Sequence, residues 1–464
     1  MSRTIKLREA KPRLERQLDL LRATSLNMSD MVGSGLFVAL PLLLGAMGGP
    51  QAMIGWFVGG VIALSDGLVW SELGAALPAS GGTYGYLRES FGSQSWGRLG
   101  AFLFSFQLLC SGPLEIASAS IAIGQYIGYL WRGMTALDVK LVAAGAAALG
   151  TVFLYARLRS IARLVIGLWA GVLITVGWII FTGLAHFNPR VAFSFPPSAF
   201  TLNKHFFAGL GLTTNYVMYC YLGYYGVCYV GDEVVRPART IPRSVILSIV
   251  AVVFLDFLFC LSILGVVPWK EAMQSQFIAA YFMHMVYGHW AGVLVCLLMI
   301  WVSFAGIYAM ILTYSRIPYA AALDGNFFSV FGKVHSKKHI PHVSLLLIGG
   351  LAVISSFLSL DEVIKALLTA RILAQFLSQI VALDCLRRYN PQVHLPFKMA
   401  LYPLPSLIAF VGWVFVFISA GPQYILFGLL TLLLGCVGFL AISRKRRKWP
   451  FAAPQATAVH LEKE

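Results

Sequence analysis

Residues 29–37 read SDMVGSGLF and lie inside an apolar run of about twenty residues. Glycines at 33 and 35 leave two of three successive positions without a Cβ, which weakens the helix that the flanking residues would otherwise continue. A break at this depth frees peptide N–H and C=O groups that hydrocarbon cannot satisfy, so it persists only where it faces protein, water or a ligand. A second interruption, YCYLGYYGV at residues 219–227, sets Gly223 and Gly226 in the sixth apolar run, five runs after the first. Interrupted helices at matching positions are the sequence mark of an inverted repeat with a binding site near the bilayer midplane. Glycine is also common in membrane helices for close packing alone, so the argument rests on the pair of interruptions.

Outward from these two segments, apolar runs lie near residues 24–45, 51–76, 98–127, 138–156, 162–184, 206–230, 241–266, 288–313, 343–359, 362–382, 401–419 and 422–442. Each can cross a hydrocarbon core of about 30 Å as a helix. The 464 residues are 58% hydrophobic and 12% charged, with a mean hydropathy of +0.77, against about a quarter charged in soluble domains. Continuous runs also exclude the alternating segments of a β-barrel. The expected fold is an all-α membrane protein of twelve transmembrane helices. An inverted five-plus-five repeat core, like that of the leucine transporter, would take residues 24–382, and two peripheral spans residues 383–442. The tails would be residues 1–23 and 443–464. Seven Lys and Arg precede the first run and no small-residue cleavage site follows it, so the N-terminus reads as an uncleaved cytoplasmic tail.

A net charge of +16 raises the question of a nucleic-acid or acidic partner, and the placement of the basic residues answers it. Of 35 Lys and Arg, 28 fall in the two tails and in alternate loops. That asymmetry is the positive-inside pattern, which puts both termini in the cytoplasm of a multi-pass protein of the inner cell membrane. The RKRRK run at residues 444–448 then reads as an anchor on anionic lipid, and no nucleic-acid partner is expected. Most of the seven cysteines lie in apolar runs, so no disulfide framework is implied. No metal-ligand spacing, GxSxG, HExxH or phosphate-binding glycine loop occurs, which leaves an enzyme reading without support and calls for no cofactor. His284, His289, His335, His339 and His342 read as solvated loop histidines.

An opened Gly-Ser-Gly segment can turn the amides of residues 33–36 inward at the positive end of the following half-helix, where they suit a carboxylate. The carbonyls of Met31 or Val32, ending the preceding half-helix, are then free to accept from an ammonium. An α-amino acid carries both groups.

GSGLF at residues 33–37 resembles the GSGIF motif of the amino acid/polyamine/organocation (APC) permease superfamily. SELGAALPASGGTYGYL at 71–87, GDEVVRPARTIPRSV at 231–245 and SRIPYAAALDGNFF at 315–328 are similar to its later motifs in the same order. The resemblance covers most of residues 24–342. It implies an amino-acid permease working by alternating access, with a small-molecule substrate and the lipid bilayer as partners. It places carboxylate-binding amides at Ser34, Gly35 and Leu36, beside Gly33, and ammonium-accepting carbonyls at Met31, Tyr219 and Leu222, with Tyr219 as the gating aromatic. The substrate side chain would point to Tyr225 and to the third span around residues 112–116. Three departures qualify it. Members exchanging cationic substrates can carry an acid where this chain has Tyr225. The lysine of some proton-coupled members is absent from residues 169–173, and the loop after the third span lacks the cysteine that attaches a heavy chain in animal relatives.

Charges inside spans cost about 3 kcal/mol or more and default to functional hypotheses. Asp30, one turn before the glycines, is a candidate for binding a proton or the amine, or for a wet-vestibule carboxylate. Glu115, after Gly112 and Pro113, is either a proton carrier or the structural partner of Arg371. Asp66, Asp256 and Arg371 read as packing or pairing residues. Glu233 with Arg236 or Arg239 could form a cytoplasmic gate ion pair. Proton-coupled uptake is the expected mode. The alternatives are a polyamine or amine transporter, an amino-acid exchanger, and a substrate sensor on a transporter scaffold.

Overall fold

The computed structural model describes residues 16–33, 35–79, 81–131, 133–156, 161–336, 340–390 and 392–451. In chain order the α-helices are α1 (Leu20–Met31), α2 (Gly35–Met47), α3 (Ile54–Ala76), α4 (Thr83–Ser90), α5 (Trp96–Leu130), α6 (Ala136–Ala156), α7 (Ile161–Ala185), α8 (Pro189–Ala192), α9 (Lys204–Tyr221) and α10 (Gly226–Tyr229). They continue as α11 (Pro237–Leu264), α12 (Trp269–Gln274), α13 (Ile278–Tyr287), α14 (His289–Leu323), α15 (His342–Ser355), α16 (Leu360–Arg371), α17 (Ser378–Tyr389), α18 (Leu404–Ser419) and α19 (Pro422–Lys445). Among the described residues no strand forms beyond one isolated bridge between Leu18 and Val234.

Seven helical stretches are long and apolar enough to cross a membrane, and α1 with α2, bent by 48° at their junction, makes an eighth. The run expected at 206–230 instead appears as α9, a non-helical step and the single turn α10. Those expected at 343–359 and 401–419 form helices of 14 and 16 residues. The run near 362–382 continues as one stretch, Leu360–Tyr389, because α16 and α17 are joined by the π-helical turns of Ile372–Leu377. Polar residues set several helix starts. Asp19 accepts from the Arg22 amide at 2.9 Å, Asn203 caps α9, and Ser359 with Glu362 closes a capping box on α16; each satisfies amides that have no partner in the first turn.

The long α5 lies at the centre, packed along α14, α6 and α16, while α3 runs against α11 and α2 against α9. Two acids predicted to pack or pair are buried in this bundle, and they differ. Asp66 accepts from Tyr224 Oη at 2.6 Å and Trp70 Nε1 at 3.0 Å. Asp256, 1% exposed, has no hydrogen-bond partner for either carboxylate oxygen among the described residues, so of the two readings it packs without pairing. Ionising it there would cost several kcal/mol. Asp256→Asn is therefore expected to leave the Tm of the purified protein unchanged and Asp256→Leu to raise it; a fall in Tm for both would show that the carboxyl has a stabilising partner.

Candidate functional site

The first break forms where α1 runs out of helix at Val32, whose φ of −84° and ψ of +73° leave the helical region. Its amide still reaches Met28 O at 2.9 Å, while the Gly33 amide turns back to Met31 O at 2.9 Å. The next helix opens at Gly35 with first-turn N–H groups that have no helix partner. The second break begins at Leu222, which is extended (φ −55°, ψ +142°), and turns at Gly223, whose φ of +113° belongs to the region that favours glycine. The two breaks touch. A Cβ on Gly223 would stand 2.7 Å from the carbonyl carbon of Asp30 and 2.9 Å from the Met31 nitrogen, and one on Gly35 would stand 2.8 Å from Tyr219 Cε1.

A cavity of about 310 Å³ lies where the interruptions meet. Met31, Gly33 and Gly35 line it from the first break, and Tyr219, Leu222 and Tyr225 from the second. Leu36 is 1% exposed and sits behind the wall, and Ser34 lies outside the described residues. Asp30 and Glu115 both face the cavity, Asp30 as an exposed side chain with no ion pair among the described residues. Its Oδ2 would be 3.4 Å from a Cβ on Gly226, so the carboxylate lies at the start of α10. Tyr219 donates to Ser118 Oγ at 2.8 Å. Tyr225 stacks on Trp70 at 4.5 Å between ring centroids, which fixes its ring on the cavity wall.

Glu115 is paired. Arg371 Nη2 approaches its Oε2 at 2.5 Å, and the Tyr314 hydroxyl donates to the same oxygen. Arg371 is 2% exposed and also holds Ser111 Oγ at 3.1 Å. From there the polar contacts continue through Ser111 to Gln107 (2.9 Å), Gln107 to Gln375 (3.4 Å) and Gln375 to Tyr229 (3.3 Å). This wall joins α5, α14, α16, the π-helical turns and α10. A π-helical insertion beside a polar site is a recurrent device for presenting side chains. Of the two readings left open for Glu115, the geometry places it as the counter-ion of Arg371.

Several contributors escaped the sequence reading. Asn27, fully buried, accepts from the Val227 amide at 2.8 Å and lies 3.4 Å from Ser248 Oγ. It thus ties α1 to the first turn after the second break and to α11. A lone Asn three residues before Asp30 in an apolar run was the available signal. Tyr314 and Gln375 gave none, since their roles depend on helices far apart in the chain. At the segment expected to carry a gate, Glu233 forms no ion pair with Arg236 or Arg239 among the described residues. Instead its backbone carbonyl accepts from Gln17 and Leu18 at 2.9 and 3.0 Å, and Val235 returns a bond to Leu18. Arg236 adopts a left-handed turn (φ +50°) that starts α11. The segment is held by its backbone because residues 17 and 18 run beside it. The strong pair nearby is Glu72 with Arg387, two bonds of 2.6 Å, supported by the Met399 amide at 2.9 Å.

The sequence model of the amino acid permease family matches residues 18–443. Among curated proteins, the cystine/glutamate transporter of Homo sapiens is 28% identical over 411 residues, 87% of this chain and 80% of that protein. The Asc-type amino acid transporter 1 of Mus musculus is 26% identical over 424 residues, 87% of this chain and 76% of its own. The branched-chain amino acid permease BcaP of Bacillus subtilis (strain 168) is 24% identical over 454 residues, 94% of each chain. The chain therefore belongs to the amino acid permease family of the APC superfamily, whose members are membrane transporters and not enzymes.

Proposed function

We propose that the protein carries an amino acid with a neutral side chain across the cell membrane by alternating access, coupled to protons, on a twelve-span inverted-repeat fold with both termini cytoplasmic. The observation that carries this reading is the cavity bounded by both helix breaks, with the first turn of α2 on one side and the Asp30 carboxylate on another. The helix start suits the substrate carboxylate, and Asp30 suits the ammonium or the coupling proton. Glu115 is occupied by Arg371, so Asp30 is the acid left for a cationic group, one too few for the two ammonium groups of a diamine. That count favours an amino acid over a polyamine. Exchange is the second mode, suggested by a relative that is a transporter of two amino acids, the cystine/glutamate transporter.

Uptake of labelled amino acids into proteoliposomes, with and without an imposed proton gradient, tests the reading. The parent protein is expected to accumulate substrate only with the gradient, with putrescine failing to compete. Asp30→Asn is expected to lower uptake by about tenfold, the scale of a lost charge-assisted hydrogen bond, and to flatten its pH dependence. Unchanged uptake and pH profile in Asp30→Asn would remove Asp30 from the mechanism. Binding without accumulation would make the protein a sensor.

A further inference from the structure

Away from the cavity, three helix ends bring positive charge together. Arg88 lies in the last turn of α4, Arg98 in the first turn of α5, and Arg446 and Lys448 directly after α19. Arg446 reaches the turn following α14, where its guanidinium donates to the carbonyls of Gly325 and Phe327. Gly325 is left-handed there (φ +67°), and a Cβ on it would lie 3.4 Å from Arg446 Nη1 and 3.9 Å from Lys448 Nζ. Asp324 is the one carboxylate paired with any of the four cations among the described residues, at 3.3 Å from Arg88. The Arg98 side chain is the outlier. It is 6% exposed, lies over the Phe439 ring at 5.6 Å, and has no hydrogen bond or ion pair among the described residues. Arg88 Nε is likewise buried without a partner. Partial burial, with the charges of Arg98, Arg446 and Arg88, holds the Lys448 ammonium below the ordinary lysine value.

Arg98 has most of its side chain covered and no counter-ion among the described residues, and the neighbouring cations add to the cost of holding its charge there. An anion resolves both. Three guanidinium groups and an ammonium match the oxygens of a phosphate. The depth is also defined: Trp96, 64% exposed, packs edge-on against Trp449 at 5.1 Å beside the cluster, and paired tryptophans at span ends mark the headgroup layer.

We infer that Arg88, Arg98, Arg446 and Lys448 form a binding site for the phosphate of an anionic phospholipid headgroup at the end of the bundle. The site is separate from the transport cavity and stands whatever the coupling mode.

Native mass spectrometry of the full chain released from nanodiscs of mixed phosphatidylglycerol and phosphatidylcholine reads the occupancy. Retained phosphatidylglycerol is expected. Lys448→Gln should lower its occupancy about fivefold, as removal of one interfacial charge predicts. Arg444→Gln removes the same charge from an exposed neighbour outside the cluster and should leave occupancy unchanged. Arg98→Gln should abolish retention, and if that variant fails to fold, the Lys448 and Arg444 pair decides. Equal losses from Lys448→Gln and Arg444→Gln would overturn the site in favour of diffuse surface attraction. Equal retention of phosphatidylcholine would overturn it as well, and so would thermal protection by inorganic phosphate matching that of phosphatidylglycerol, which would mean a site for free anions.

Discussion

Arg371→Leu is expected to destabilise the folded protein by about 3 kcal/mol and to abolish uptake, because it leaves the Glu115 carboxylate on the cavity wall without its counter-ion. Arg371 is 2% exposed and supplies bonds to Glu115, Ser111 and Tyr314. Removing both charges together is a different matter, since a buried pair replaced by neutral groups is often tolerated. The double variant Arg371→Leu/Glu115→Gln should therefore recover most of the lost Tm and none of the transport. A thermal-shift series with uptake on the same preparations checks this. Additive Tm losses in the double variant would mean that the two side chains do not act as a pair.

The second large effect concerns the contact between the two broken helices. Gly223→Ala forces a Cβ into a left-handed residue, at about 1–2 kcal/mol, and against the Asp30 backbone 2.7 Å away. Backbone has no rotamer with which to yield, so the breaks must separate, and a displacement of about 1 Å at a binding site can cost a hundredfold in rate. Uptake by Gly223→Ala is expected to fall about that far. Gly226→Ala is the control three residues on, where the nearest atoms would be 3.4 and 3.5 Å from the new Cβ, and it should retain most activity. Equal losses in the two variants would show that glycine matters there for helix flexibility alone.

Membership of the permease family and the all-helical character were legible in the chain itself. Hydropathy, the two glycine interruptions and the ordered motifs are local properties, and each can be read within a window of about twenty residues. The interruptions at Gly33, Gly35, Gly223 and Gly226 could be named because glycine in an apolar run is locally conspicuous. Helix continuity was less legible. Nothing local announced that the run near 362–382 would continue through π-helical turns, or that residues 206–230 would be divided so unequally.

What the sequence determined alone, then, is that the chain is a helical membrane protein and where two of its apolar runs fail to stay helical, since both follow from transferring one segment at a time out of water. Which buried charges find partners was decided only by the tertiary structure. Glu115 meets Arg371 across 256 residues, Glu72 meets Arg387 across 315, and Asp256 meets none among the described residues. Pairing energy depends on distance in space and on local dielectric, and neither is a property of a stretch of chain.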